Sequence, residues 1–252
     1  MPRRARKQSP TGIYHVIMRG INRQSIFEDE EDRLKLIEKF SKYRELSGYR
    51  LFAYCLMDNH IHVLIQEQKE PIGIVMKRIS SSYVFWFNNK YERCGHLFQE
   101  RFKSEVVDTD RYFLTVLRYI HQNPLKAKIA EDISNYRWSS YGEYMGSGHI
   151  VDKEYVLKMF ANSADEALER FDEFQRKGND DNCLEVEDLR PISDERLKET
   201  IKKQFGLDAI RIANEEKAKQ EPILRELKHL EGVSLRQIAR ITGVPQTRVW
   251  RA

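Results

Sequence analysis

The apolar residues in the first half of the chain follow two spacings, one typical of strands and one typical of helices. Short runs of Val, Ile, Leu and Tyr predict three strands, at 13–19, 49–56 and 60–66. Segments whose apolar residues recur every three or four positions predict three helices, at about 29–46, 72–91 and 110–124. The segment 96–108 alternates and predicts a hairpin or a bulged strand. We expect Gly48 and Pro124 to end the first and third helices.

The resulting order of elements, β-α-β-β-α-β-α, predicts an α+β fold. Such an order is typical of the ferredoxin-like split βαβ arrangement, an antiparallel sheet with helices on one face. The remainder of the chain predicts an α-helical C-terminal extension. The sequence therefore divides into a main domain at 1–150, an acidic helical linker at 151–192 and a helical C-terminal domain at 193–252.

The last stretch, VSLRQIARITGVPQTRV at 233–249, has the pattern of a helix-turn-helix DNA-binding unit. Ala239 lies on the first of the two helices, and Gly243 follows four residues later in the turn. The positions expected in the core are Ile238, Ile241, Val244 and Val249. Two short helices of a generic three-helix unit would show the same pattern, so both interpretations remain open.

Charge is distributed unevenly along the chain. The formal net charge is only +4, but Lys and Arg exceed Asp and Glu before residue 150 and after residue 200, and the stretch between is acidic. Basic regions suit a polyanionic partner such as nucleic acid, whereas an acidic stretch is usually a solvated linker or helix face.

Cysteine content and hydropathy exclude several classes of protein. The three cysteines, Cys55, Cys94 and Cys183, fit neither a disulfide framework nor a CxxC metal site. No apolar run approaches the roughly 18 residues of a membrane span, and the basic first residues lack the apolar core of a signal peptide. We therefore expect a cytoplasmic protein without a membrane partner.

Two histidines flank Ile61 in the third predicted strand, HIHVLIQ. Because side chains alternate along a strand, His60 and His62 point to one face while Ile61 and Val63 point to the other. Two imidazoles one step apart can share a divalent cation through neutral ring nitrogens. An isolated pair of this kind is more often two ordinary histidines, so a functional interpretation requires a second site.

The third predicted helix carries that second site, in the segment LRYIHQNPLKAKI. Tyr119 and Asn123 are four residues apart and share one helix face. A phenol with a pKa near 10 is almost wholly protonated and is a weak nucleophile. A cation bound to a phosphodiester would stabilise the extra negative charge of the transition state. The histidine pair and Tyr119 would together make a DNA nicking and joining site with a covalent tyrosine–DNA bond. Tyr112, one heptad earlier, is a competing nucleophile.

A histidine–hydrophobic–histidine strand followed by a helical tyrosine resembles the single-tyrosine HUH transposases. The similarity covers roughly residues 10–145 and includes YHVIMRG, GHLFQERFKS, YIHQNPLKA and the later YRWSSY. This combination of ordered motifs is most similar to the REP-associated tyrosine transposases. That branch is linked to repetitive palindromic hairpins in bacterial genomes.

The resemblance implies the split βαβ sheet, with the histidine motif on a central strand. His60 and His62 would hold Mg²⁺ or Mn²⁺, and Tyr119 would attack single-stranded DNA to give a 5′-phosphotyrosine and a free 3′-hydroxyl. Related transposases commonly place a Gln four residues after the tyrosine as third metal ligand. Here that position is Asn123, preceded by Gln122. We expect Asn123 to be the third ligand and keep Gln122 as the alternative, because Asn is one methylene shorter and Pro124 biases Asn123 away from helical geometry.

Several other residues have a functional and a structural interpretation. The candidate phosphate contacts are Arg3, Arg4, Arg101, Lys103, Arg118, Arg236, Arg240 and Arg248. His15 and His96 are expected to be local hydrogen-bonding partners, and His121 is expected to be structural. The aromatic residues expected in the core are Phe85, Trp86 and Phe87.

Two functions follow from these patterns. The first is a metal-dependent DNA strand transferase that acts on single-stranded, hairpin DNA in the bacterial cytosol, as a monomer or homodimer. The second is an inactive, domesticated protein that still binds DNA through its basic face and C-terminal helices. A replication-initiator nickase is a weaker third possibility, because the ordered flanking motifs argue against it.

Overall fold

A computed structural model describes residues 7–146, 148, 150–185, 192–230, 233 and 235–252, except for the side chain of Trp250. The packing divides the chain into two compact units, Met1–Val186 and Glu187–Ala252. The candidate phosphate contacts Arg3 and Arg4 lie outside the described residues, as does the 186–191 part of the predicted linker.

The first unit is built on a four-stranded antiparallel sheet. Its strands are β1 (Ile13–Arg19), β2 (Arg50–Met57), β3 (His60–Gln66) and β4 (Lys103–Val106). Their order across the sheet is β2-β3-β1-β4, so β3 and β1 are central and β4 is an edge strand. The predicted α+β class and ferredoxin-like sheet are confirmed. The segment predicted as a hairpin contributes only the short β4 and an isolated bridge between Gly20 and Phe98.

The strand register assigns side chains to the two faces of the sheet. Ile17 pairs with His62 on one side and with Lys103 on the other, so these three residues share a face. His15 lies two residues from Ile17 and points to the same face, whereas Val16 and Val63 point to the opposite one. The sheet therefore has a histidine face and an apolar face.

The two helices that connect the strands pack on the apolar face, as the split βαβ arrangement predicts. They are α1 (Glu30–Ser47) and α2 (Ile72–Lys90). Asp29 caps α1 in a reciprocal capping box with Asp32, and Gly48 ends it in the left-handed conformation at φ 65°. The ring of Phe40 on α1 contacts Tyr54, which pairs with Val63.

A third helix, α3 (Asp110–Lys126), covers the histidine face, where Tyr119 contacts the ring of His62. The prediction that Pro124 ends this helix was wrong, because α3 continues to Lys126 and Asn123 remains helical. A proline removes one helical hydrogen bond but does not prevent the turns after it from forming. Here the amide of Ala127 still donates to the carbonyl of Asn123 at 2.9 Å. Burial of Pro124 and the three residues before it holds this turn in place.

Three further helices complete the first unit: α4 (Tyr141–Met145), α5 (Lys153–Leu157) and α6 (Ala164–Arg176). The described residues of the predicted linker, up to residue 185, pack into this unit and do not form a separate linker. Val156 and Phe171 are fully buried in the main core. The acidic composition misled the prediction, because the charges of α6 lie on one side and its few apolar residues lie on the other.

The aromatic cluster of α2 is only partly a core element. Phe87 is buried and Trp86 is partly buried, as expected. Phe85 was predicted to be in the core, but 70% of its surface is exposed. Adjacent helix positions differ by about 100° around the axis, so a run of three aromatic residues cannot face the core together.

The second unit consists of α7 (Asp194–Phe205), α8 (Lys217–His229), α9 (Leu235–Thr242) and α10 (Gln246–Arg251). The four predicted core positions are buried: Ile238, Ile241, Val244 and Val249. Gly243 forms the turn between α9 and α10 at φ 73°, as its position predicted. Binding of DNA by this helix pair stays a prediction. None of the helices in the described residues has both the length and the apolar composition that a bilayer span needs.

Candidate active site

The centre of the site is the histidine pair on β3. The rings of His60 and His62 are 5.0 Å apart between centroids and nearly perpendicular. His62 is only 2% exposed, whereas His60 is half-buried. The strand holds both rings on the same face because Ile61 and Val63 are buried on the other.

His15 is a further member of the site, contrary to the expectation that it is only a local hydrogen-bonding partner. Its Nε2 lies 3.1 Å from Nδ1 of His62, and the two rings stack with centroids 5.3 Å apart. Burial lowers the pKa of His15 to about 3 and holds that of His62 well below its usual value, so both rings are neutral at pH 7. The contact arises from the pairing of β1 with β3, which the linear sequence does not reveal.

The hydrogen bonds of the histidines fit a metal-binding role. When Nδ1 of His62 donates to His15, Nε2 of His62 carries the lone pair that a cation needs. Nδ1 of His60 lies 2.7 Å from Oδ1 of Asn59, an arrangement common for histidines that ligate a metal through Nε2. Within the described residues, no three His, Cys, Asp or Glu side chains form a metal-type cluster.

Tyr119 brings a phenol to the histidines. Its ring centroid lies 5.7 Å from that of His62 and 5.9 Å from that of His15. The hydroxyl donates to Oε1 of Glu185 at 2.7 Å. Burial and, to a lesser extent, the Glu185 carboxylate raise the pKa of Tyr119, while a hydrogen bond from Asn123 acts in the opposite direction. In this structure the tyrosine is protonated and its proton faces a carboxylate.

The two candidate third ligands are in different environments. The Gln122 amide group donates to the carbonyls of Gln175 and Lys177 and accepts a hydrogen bond from Asn179, so its polar atoms are already used at the end of α6. The Asn123 side chain is one turn after Tyr119 on the same helix face, close enough to the hydroxyl to oppose the rise of its pKa. The geometry therefore brings Asn123, and not Gln122, to the tyrosine.

Residues 179–185 lie against the end of α3. Asp181 accepts two hydrogen bonds from Arg118, at 2.7 and 2.9 Å, and its carbonyl accepts one from Lys126. Arg118 was predicted to contact DNA, but it is nearly buried in this pair. This segment also places the Glu185 carboxylate on the Tyr119 hydroxyl.

Tyr112, the competing nucleophile, is half-buried on α3 and contacts Glu105, the strand partner of His15. Its hydroxyl donates to Glu105 on β4, and burial raises its pKa. His121 is fully buried and hydrogen-bonds to Ser140 and Gln175, which is consistent with its expected structural role.

The remaining candidate phosphate contacts are mostly on the surface. Arg101 and Lys103 are exposed in the first unit. In the second unit Arg236 is exposed, Arg248 is half-buried, and Arg240 forms an ion pair with Asp194 at 2.7 Å.

Three comparisons with known proteins bear on this site. Residues 9–123 match a family model described as "Transposase IS200 like". A solved structure titled as a REP-associated tyrosine transposase bound to a REP hairpin is 16% identical. It covers 60% of this chain and 94% of its own, with a TM-score of 0.50, and the likeness shows the shared fold. A putative transposase from Deinococcus radiodurans R1 is also 16% identical, covering 48% of this chain and 96% of its own, with a TM-score of 0.35. No curated protein matches.

Proposed function

We propose that this protein is a metal-dependent single-stranded DNA endonuclease and strand transferase, because residues 9–123 match the model of the IS200-like transposases. The observation that carries the proposal is the position of Tyr119, whose ring lies 5.7 Å from that of His62, with Asn123 one turn later on the same helix face. A nucleophile and a histidine pair from two different elements meet at one place on the sheet.

Tyr119 would act as the nucleophile. Its oxygen attacks the phosphorus of a DNA phosphodiester, the bond from phosphorus to the 3′-oxygen breaks, and a 5′-phosphotyrosine and a free 3′-hydroxyl result. The phenolic proton leaves as the new bond forms, and the nearest acceptor in the structure is Glu185. The leaving 3′-oxygen takes up a proton from water and becomes the free 3′-hydroxyl. Attack by a 3′-hydroxyl on the phosphotyrosine reverses these steps and joins the strand.

His60, His62 and Asn123 would hold Mg²⁺ or Mn²⁺, which would stabilise the negative charge that develops on the phosphate. His15 would accept a hydrogen bond from Nδ1 of His62. The lone pair of Nε2 of His62 would then be available to bind the metal. Burial keeps both imidazoles neutral, which is the form that ligates a metal.

We further propose that the substrate is hairpin-containing repeat DNA. The motifs resemble the REP-associated branch, and a solved structure with the same fold is bound to a REP hairpin. This substrate belongs with a protein of the bacterial cytosol, either a monomer or a homodimer.

The test is a covalent-adduct assay. A labelled single-stranded hairpin incubated with the protein and Mn²⁺ should give a protein–DNA band that survives denaturation. Tyr119→Phe should abolish the band, because the variant lacks the phenolic oxygen that would attack the phosphorus. Tyr112→Phe is the matched control and should retain it. An adduct that persists in Tyr119→Phe and disappears in Tyr112→Phe would identify Tyr112 as the nucleophile.

One observation favours the second candidate function, an inactive DNA-binding protein. Tyr119 is only 2% exposed and its hydroxyl is bonded to Glu185. If the protein has lost its activity, hairpin binding should be unaffected by His60→Ala and His62→Ala, and cleavage should be absent with either metal. Cleavage that depends on the two histidines excludes this alternative.

A further inference from the structure

The connection between α9 and α10 in the second unit is a turn of three residues, 243–245. Gly243 is left-handed at φ 73°, where a side chain would be strained, and its amide donates to the carbonyl of Ala239 at 3.0 Å. Val244, in the same turn, is only 2% exposed. A turn of about three or four residues that contains a glycine is typical of a helix-turn-helix. Burial of Val244 packs this turn against the core of the unit.

Hydrogen bonds fix α9 in the unit. The side chain of Gln237 is buried and donates to the carbonyl of Ile192 at 2.6 Å and to Oδ1 of Asp194 at 3.0 Å. At the other end of the helix, the hydroxyl of Thr242 accepts a hydrogen bond from the amide of Val244 at 3.3 Å. The helix pair therefore has a defined arrangement before any partner binds, and a preformed surface loses less entropy on binding.

The outer sides of both helices carry arginines. On α9, Arg236 and Arg240 are exposed and four residues apart, so they share one helix face. On α10, Val249 is fully buried, and Thr247 and Arg251 are exposed about 160° around the helix from it. The apolar side of each helix thus faces the core, and the opposite side presents cations to solvent.

The charge of this part of the unit has a single sign. Residues 235–252 contain four arginines and no Asp or Glu. Among the described residues only one of the four forms an ion pair, which joins Arg240 to Asp194 at 2.7 Å. Cations elsewhere in the unit are differently placed; Lys202, for example, pairs with Asp208 at 3.2 Å. A surface with unpaired arginines and few acidic neighbours suits a polyanion.

The side chains at the beginning of α10 are of the types that distinguish base pairs. Gln246 and Thr247 are exposed and Arg248 is half-buried. In the major groove, glutamine can bond to both N6 and N7 of adenine, arginine to O6 and N7 of guanine, and threonine can contact the methyl group of thymine. The second helix of a helix-turn-helix contacts bases with its first residues, while the first helix crosses the backbone.

We propose that the outer sides of α9 and α10 bind double-stranded DNA. Helix α10 lies in the major groove, with Gln246 and Arg248 at base edges and with Arg236 and Arg251 beside phosphates. This is a second DNA-binding activity, on a unit that contains none of the residues of the proposed cleavage site. It is independent of the proposed function, since it needs neither Tyr119 nor a metal.

The first test measures equilibrium binding of the full chain to a labelled, blunt DNA duplex of random sequence, by fluorescence anisotropy at several salt concentrations. Arg236→Ala and Arg251→Ala should each reduce the slope of log affinity against log salt by about 0.9, and the double variant by about 1.8. The matched control is Lys203→Ala, which removes an exposed cation of α7 in the same unit and should leave the slope unchanged.

The second test separates the reading of bases from the binding of phosphates. Duplexes selected by the full chain from a randomised pool should share a sequence motif. Gln246→Ala and Arg248→Ala should each relax the preference at one base pair by about 5- to 150-fold. Gln246→Ala removes no charge, so its salt slope should equal that of the unsubstituted protein. Because these side chains are exposed or half-buried, the variants should fold normally, which circular dichroism checks.

Three results would overturn the proposal. They are unchanged duplex binding in the double variant Arg236→Ala/Arg251→Ala, an equal change of slope in Lys203→Ala, and an equal loss on a single strand of the same sequence. The first would favour an acidic protein as the partner of this surface, and the third would make it a single-strand site.

Tyr119→Phe separates these outcomes from failure of the proposed function. This variant should form no covalent adduct and should bind the duplex with the same affinity as the unsubstituted protein. Duplex binding that depends on Arg236 and Arg251, without an adduct in the unsubstituted protein, refutes the cleavage and retains the duplex site. An adduct together with duplex binding that is insensitive to these arginines refutes the duplex site alone.

Discussion

The site depends at the residue scale on hydrogen bonds between uncharged rings. His62 contacts His15 at 3.1 Å, and Nδ1 of His15 is buried without a hydrogen-bond partner among the described residues. The usual partner of a metal-ligating histidine is a carboxylate or a carbonyl. In the proposed site the imidazole of His15 is the partner of His62. The tautomer of one ring therefore depends on the tautomer of the other.

Replacing His15 should therefore weaken metal binding. We expect His15→Phe to reduce the affinity for Mn²⁺ by about 10- to 100-fold, because His62 loses the acceptor that sets its tautomer. Isothermal titration calorimetry without DNA measures this directly. His15→Gln, whose side-chain oxygen can accept the same proton, should recover most of the affinity. Equal affinities in His15→Phe and the unsubstituted protein would show that the contact has only a packing role.

His121 should make the stability of the first unit depend on pH. Burial lowers the pKa of His121 to about 4 in the folded protein, against about 6.5 when unfolded. The unfolded chain therefore binds the proton more tightly, and the free energy of unfolding falls as the pH drops below about 6.5. The expected loss is roughly 2 kcal/mol between pH 6.5 and pH 5.

Urea unfolding at several pH values, for the unsubstituted protein and for His121→Gln, measures the contribution of His121. Gln retains hydrogen-bonding capacity but does not titrate in this range. Between pH 6.5 and pH 5 the free energy of unfolding should fall by roughly 2 kcal/mol less in the variant than in the unsubstituted protein. The other buried histidines contribute equally to both proteins. Parallel curves would contradict the assignment.

At the scale of elements, two helices decide how the histidine face is covered. Helix α3 carries Tyr119 on the side that faces the sheet, and α6 packs against α3 through Phe171. The ring of Phe171 stacks on Tyr144 with centroids 4.4 Å apart and contacts the ring of His121. Helix α6 is thus a structural support for α3.

Phe171→Ala should destabilise the first unit by about 3–5 kcal/mol, because it opens a cavity in a fully buried position. Chemical denaturation followed by tryptophan fluorescence gives the value. Glu169→Ala, an exposed residue of the same helix, is the control and should change stability by less than about 0.5 kcal/mol. A small effect of Phe171→Ala would favour the original interpretation of this stretch as a linker.

At the scale of the whole molecule, the chain comprises two units with separate cores. The core of the first includes buried residues from β1 to Cys183, and that of the second runs from Leu197 to Val249. The first unit contains the histidines, Tyr119 and Asn123, so every group of the proposed chemistry lies before residue 187.

The boundary predicts which fragments fold. A chain ending at residue 186 should unfold in a single cooperative transition, because it keeps α5 and α6 and with them the complete core. A chain ending at residue 150 should lack such a transition, because it loses Val156 and Phe171 from that core. Differential scanning calorimetry distinguishes the two. Cooperative unfolding of the shorter fragment would show that the first domain ends at residue 150, as the sequence predicted.

Local patterns predicted much of the fold and the outline of the site. Strand alternation placed His60 and His62 on one face, and helical spacing placed Tyr119 and Asn123 on another, because these relations depend only on the geometry of a single element.

The tertiary structure decided what depends on contacts between distant parts of the chain. Strand pairing brought His15 into contact with His62, and the end of α6 accepts a hydrogen bond from Gln122. The segment before residue 186 contacts α3, where Asp181 pairs with Arg118 and Glu185 with Tyr119. Packing also exposed Phe85, which an apolar pattern alone assigns to the core. The sequence by itself determined the three main strands, the helices between them and the faces on which the histidines and Tyr119 lie. Which faces meet depends on the joint burial of several elements, and no local spacing records that.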